Sequence, residues 1–219
     1  MAKFLKLIWK GKFNGVEDLP IGELPENAVR FEEPESAEEL AKETRRFLIP
    51  VVIFLLIVIF LRIKTNGFFG VSDVLNIFGI ILIPFSILPH EYLHAIFFPK
   101  DAEVEMWYSI KQRLALVTSN TAITKKRFIF LSVFPNIVFG FLPLIIWIFI
   151  PSDMSFISGI LFTFGFISLT IGSGDFMNIY NTIKQVPKDA MVQISGLNSY
   201  WFLKKNKLNV YIISLGIYN

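Results

Sequence analysis

The chain has 219 residues, of which 53% are hydrophobic, 24 are Phe and only 18% are charged; its mean hydropathy is +0.57 and its net charge +3. Such values lie far from those of a soluble domain and indicate a protein that lives in a lipid bilayer; the small net charge does not suggest nucleic acid, and no nucleic-acid partner is expected. The absence of Cys excludes disulfides and thiolate metal sites, so any bound metal is held by nitrogen and oxygen.

In chain order, residues 1–10 interleave Lys3, Lys6 and Lys10 with Phe4, Leu5, Leu7, Ile8 and Trp9, the pattern of an interfacial amphipathic helix, with a floppy tail as the equal alternative. Ser36-Ala37-Glu38-Glu39 reads as a capping box opening a short helix. No cleavable signal peptide is expected, because acidic residues separate the basic start from the first apolar run. That run, 47–63, is short for a span, but Arg45, Arg46, Arg62 and Lys64 can snorkel to the two interfaces. A second apolar run covers 74–98. Residues 103–110 then alternate Val104, Met106, Tyr108 and Ile110 with Glu103, Glu105, Trp107 and Ser109, and 113–118 offers a partner strand. Further apolar runs cover 128–150 and 155–172, the last continuing toward 183. The expected fold class is therefore an all-α integral membrane protein: four transmembrane helices with a short cytoplasmic β-hairpin between the second and third. Its divisions are a tail at 1–46, a membrane domain at 47–183 and a second tail at 184–219.

Lys and Arg alternate along these segments: eight in the first tail, two in the 62–73 loop, six in 99–127, none in 151–154 and five in the last tail. By the positive-inside rule, both termini and the middle loop face the cytoplasm of a multi-pass cell-membrane protein.

The two histidines of the chain form His90-Glu91-Tyr92-Leu93-His94 inside the second apolar run. Positions i and i+4 share a helix face, so both imidazoles reach one Zn²⁺, while Glu91 is placed to act as general base. Ionisable groups at membrane depth are costly without a function. A catalytic zinc usually takes three protein ligands, and with no Cys and no third His the remaining one is a carboxylate. Asp175 fits best, because the fourth run brings it back to the cytoplasmic half, within about two helical turns of the depth of His94. The competing reading is an interfacial Asp that caps a helix. Gly172-Ser173-Gly174 ahead of it allows close helix approach, and Asn178 one turn later can support the carboxylate. Asp101, Glu103, Glu105 and Asp189 stay open as alternatives; Asp73 and Asp153 fall at the opposite face. Tyr92 and Leu93 read as packing residues, Pro84 and Pro89 as sites of a kink, and Pro135-Asn136 as a source of an amide near the site.

The motif His90-Glu91-Tyr92-Leu93-His94-Ala95, the strand-like loop, Gly174-Asp175-Phe176-Met177-Asn178 and Pro187-Lys188-Asp189-Ala190-Met191-Val192-Gln193 together resemble a bacterial family of membrane zincin peptidases. The resemblance covers roughly 74–200. More distantly the chain is similar to site-2 proteases, in which an intramembrane His-Glu-x-x-His pairs with a remote Asp ligand, although it lacks their Asn-Pro-Asp-Gly type of motif. The resemblance implies a zinc-dependent intramembrane metallopeptidase that hydrolyses membrane-protein or peptide substrates near the cytosolic face. The alternative is a non-proteolytic zinc-binding membrane scaffold or regulator; a metal transporter ranks lower, because the spans offer essentially one polar cluster. Neither the substrate nor the oligomeric state is encoded in these signals.

Overall fold

The computed structural model describes residues 5–34, 37–111 and 114–204. They divide into two compact units, one built from the chain up to Glu33, Ala95–Leu131 and the chain from Ile179, the other from Pro34–His94 and Ser132–Asn178.

The first unit holds two sheets. In one, β1 (Lys6–Lys12) pairs in parallel with β3 (Glu103–Ser109), which pairs antiparallel with β4 (Leu114–Thr118). The second has the order β2 (Val29–Arg30), β7 (Asn198–Phe202), β6 (Met191–Ser195), β5 (Ile123–Thr124), antiparallel throughout. Gly196, at φ +63°, makes the tight β6–β7 turn that needs a left-handed residue. Val104 and Val192 are fully buried in a core shared with Ala95, Phe98, Phe128 and Val186.

These sheets overturn the all-α expectation: among the described residues the fold is mixed, with seven strands beside the helices. The pairing anticipated between 103–110 and 113–118 is present as β3 with β4, but it is one part of a larger arrangement. The interfacial helix expected over 1–10 is not found where that stretch is described, from residue 5: Lys6–Lys12 form β1 instead. The open edge of β3 offers Glu103 and Glu105, which Lys6 and Lys10 meet at 2.5 and 3.1 Å, and backbone pairing along that edge replaces helical hydrogen bonds. The capping box read at Ser36 falls partly outside the described residues; a helix, α1 (Ala37–Arg45), does begin next to it.

The second unit is helical. α2 (Leu48–Asn66) buries Val51, Leu55, Val58 and Arg62, a stripe at 4-3-4 spacing, and leaves Val52, Ile53, Leu56 and Phe60 exposed. α3 (Ile77–Ala95) follows. α4 (Lys125–Asn136) passes through a π-turn at Ile137–Phe141 into α5 (Leu142–Phe149). α6 (Ser155–Ile171) breaks at Gly172, and α7 (Ser173–Gln185) leaves at a bend of 47°. Three stretches, Lys42–Asn66, Val71–Ala95 and Lys125–Phe149, are long and apolar enough to cross a membrane, and the bent α6–α7 pair passes the same test as a broken span or a re-entrant loop. Only 11% of the most apolar window of Val71–Ala95 is buried within the chain.

Trp147 fills the centre of this unit, packed edge-on by Phe69 at 5.2 Å and tilted against Phe162 at 4.8 Å. Beside it lies a buried ion pair. The Arg62 guanidinium is 3.9 Å from Asp73, stacks 5.3 Å over the Trp147 ring and donates to the carbonyls of Trp147 and Ile150. Trp147 Nε1 in turn donates to the carbonyl of Asp73 at 2.9 Å. Removing one member of such a pair strands the other charge. Arg62→Met is expected to cost about 3–5 kcal/mol, read as unfolding in detergent, and Arg62→Met/Asp73→Asn to recover part of that loss because no buried charge remains.

In the first unit, burial pushes the Glu33 carboxyl above its ordinary value of 4.5, against the opposing effect of the Ser199 N–H, which donates to Glu33 Oε2 at 3.0 Å. A carboxyl whose folded pKa is raised holds its proton better in the native state. Its contribution is full below the unfolded value and is lost as pH rises through the folded one. The melting temperature of the native protein relative to Glu33→Gln should therefore fall as pH is raised from about 4 toward neutrality; a pH-independent difference would refute this.

Candidate metal centre

Near its C-terminal end α3 carries His90 and His94 one turn apart, their ring centroids 4.9 Å from each other and their planes at 72°. The helix stays α-helical through Pro84 and Pro89, and Pro89, having no N–H, leaves a carbonyl one turn earlier without its usual helical donor. Phe139, in the π-turn, stacks against His90 at 6.2 Å and 25° and limits its ring orientation.

Asp175 sits in the first turn of α7, where a carboxylate is favoured by the helix dipole. Its Oδ2 lies 3.1 Å from His90 Nε2 and its Oδ1 lies 3.4 Å from His94 Nε2. Asn136, 1% exposed at the end of α4, donates from Nδ2 to the same Oδ2 at 2.7 Å. Three helices thus converge on one carboxylate.

These separations can be set against zinc coordination. Two ligand atoms, each about 2.0–2.1 Å from a tetrahedral Zn²⁺, stand about 3.3 Å apart. The two observed N···O distances bracket that edge. The residues present fit a zinc ion.

Two donor triples share the histidines. His90, Glu91 and His94 offer atoms within 4.8 Å of one another. Asp175, however, is in direct contact with both imidazoles, and it is held in place by Asn136. We take Asp175 as the third member of the cluster on these contacts. Glu91 stands about 100° around the helix from His90 and is left beside the cluster.

The other carboxylates considered from the sequence have other engagements or positions. Asp73 faces Arg62, Glu103 pairs with Lys6 and Glu105 with Lys10. Asp101, Asp153 and Asp189 are exposed. The amide anticipated from Pro135-Asn136 is the one that reaches Asp175. Asn178 lies on the same helix, one turn beyond the carboxylate.

Two contributors were not legible beforehand. Phe139 was one of 24 Phe, with no spacing to single it out. Within Gly172-Ser173-Gly174, the glycine that matters for close approach is Gly172: a Cβ there would stand 1.9 Å from Asn136 Oδ1, whereas at Gly174 it would meet nothing within 4 Å.

A pair of histidines one helical turn apart, a carboxylate from another helix and an adjacent glutamate match the donor set of a zincin-type metal centre. Residues 82–191, half of the chain, match the family described as "Putative zincin peptidase", and the chain belongs to that family. The matched region contains His90, Glu91, His94, Asn136, Gly172 and Asp175. Membership marks the protein as a zinc metallopeptidase, a hydrolase. No curated protein and no solved structure matches the chain.

Partners that hold a metal ligand typically contribute 10–100-fold to metal affinity. Asn136→Ala is therefore expected to weaken zinc binding by about 10–100-fold in competition with a chromophoric chelator. Gly172→Ala, which forces the Asn136 amide aside, should shift affinity in the same direction; unchanged zinc affinity in both would show that Asp175 is held without them.

Proposed function

We propose that the protein is an intramembrane zinc peptidase that cuts membrane-associated polypeptides near the cytosolic face, with His90, His94 and Asp175 as the zinc ligands and Glu91 as the general base. The observation that carries this reading is the convergence of both imidazoles on Asp175, at 3.1 and 3.4 Å, on helices apolar enough to enter a bilayer. Exposed Ile80, Ile81, Leu82, Phe85 and Leu88 on α3 support burial of that helix in lipid rather than water. With α6–α7 taken as a broken crossing, the chain makes an even number of crossings, in keeping with the Lys/Arg alternation that puts both termini in the cytoplasm.

When bound, zinc supplies Lewis acidity, polarising the scissile carbonyl and acidifying water. The chain's own residues do the rest. Asn136 and Phe139 hold the carboxylate and the His90 ring in position, so that the ligands need little reorganisation. A Glu91 oxygen accepts a proton from the attacking water as its oxygen bonds to the carbonyl carbon. Glu91 then delivers that proton to the leaving nitrogen as the C–N bond breaks, giving a carboxylic acid and an amine. A substrate helix must unwind before this step, because its carbonyls are otherwise occupied in helical hydrogen bonds. The intact Glu91 argues against a purely structural zinc site, which has no use for a carboxylate beside its ligands.

In proteoliposomes, Glu91→Gln should keep about one zinc per chain while losing about 10²–10⁴-fold in cleavage of a transmembrane reporter. Chelation of the native protein should abolish cleavage, and added zinc should restore it. Normal turnover by Glu91→Gln would remove the base assignment, and zinc retained in both His94→Ala and Asp175→Ala would remove the ligand set.

A further inference from the structure

Within the first unit, a cleft of about 500 Å³ lies between the segment that follows α3 and the first turns of α4. Its floor is apolar, made by Phe97, Phe98 and Phe130, with Phe97 and Phe130 packed edge to face at 4.7 Å. Lys100, Lys126 and Arg127 also line it, and no carboxylate does. None of these three cations has an acidic partner among the described residues.

The placement of the cations is unfavourable for the helix alone. α4 opens with Lys125-Lys126-Arg127 and has no acidic residue in its first turn, so positive charge is stacked at the positive end of the helix dipole. Lys125 is accounted for: its Nζ donates to the carbonyls of Ile183 and Val186 at 3.1 and 2.5 Å. Thr124 Oγ1 caps the Arg127 N–H at 3.3 Å. Lys126 and Arg127 remain, together with Lys100 across the cleft, above an aromatic floor of the kind that takes hydrocarbon.

From these features we infer that the cleft binds an anionic phospholipid of the surrounding bilayer, its phosphate held by Lys100, Lys126 and Arg127 and its upper acyl region lying on Phe97 and Phe130. The inference rests on the membrane reading above, which puts the end of α3 and the start of α4 at the cytosolic interface, where headgroups lie. It is independent of the zinc chemistry.

The test uses the full chain in mixed micelles containing phosphatidylglycerol and phosphatidylcholine in equal amounts, with retained lipid read by native mass spectrometry. Phosphatidylglycerol should be retained preferentially. Each cation lost should weaken its retention by about fivefold, and Lys100→Gln/Lys126→Gln/Arg127→Gln by about a hundredfold. The charge-conserving Lys126→Arg/Arg127→Lys should keep the preference, and an unchanged melting temperature in detergent should show that the triple variant is folded. Equal retention of both lipids, or a preference that survives in the triple variant, overturns the inference. So does displacement of the lipid by millimolar inorganic phosphate, which would make this a simple phosphate site. A chain that stays in the aqueous phase without detergent and binds vesicles of neither lipid overturns the membrane reading and this inference together, whereas insertion into both without lipid preference overturns this inference alone.

Discussion

The carboxylate of Asp175 is the point on which the helical unit is organised. It meets His90 and His94 from α3 and Asn136 from α4, and it stands at the start of α7, immediately after the chain has bent by 47°. An ionised carboxylate among apolar helices is tolerable only when its lone pairs are engaged. Several local irregularities serve that need. Gly172 removes the side chain that would strike the Asn136 amide, and the helix break turns the first turn of α7 toward the histidines. The π-turn places Phe139 on the face of His90. Deviations of this kind interrupt regular helices mostly where a site requires them.

The second buried polar node provides a contrast. Arg62 and Asp73 face each other just before α3 begins, about 25 Å along that helix from His90. There, one cation and one anion are balanced within the chain, and an indole ring covers them. At the far end of the same helix no arginine or lysine among the described residues meets Asp175; its partners are two imidazoles and an amide, groups suited to positioning a metal ligand.

Strands formed before α1, between α3 and α4 and after α7 surround a core of their own that holds Val104, Phe128 and Val192. In the β1–β3 register Lys6 stands opposite Glu103, and this exposed ion pair contributes little energy.

The amino-acid sequence by itself determined the chemistry. The spacing of His90, Glu91 and His94, the lack of Cys and the length of the apolar runs are local properties, and local periodicity reports them directly. It also narrowed the third ligand to a few carboxylates, with Asp175 ahead. It did not determine the fold class. Read alone, Lys3, Lys6 and Lys10 recur at the three- and four-residue spacing of a helix, and only β3, about a hundred residues away in the chain, makes Lys6–Lys12 a strand. Nor did it decide which glycine or which amide serves the centre, since a close approach between α4 and the α6–α7 break leaves no mark on either segment alone. Pairing across sequence distance and charge balance at a buried point are properties of the folded chain, so they were settled only in three dimensions.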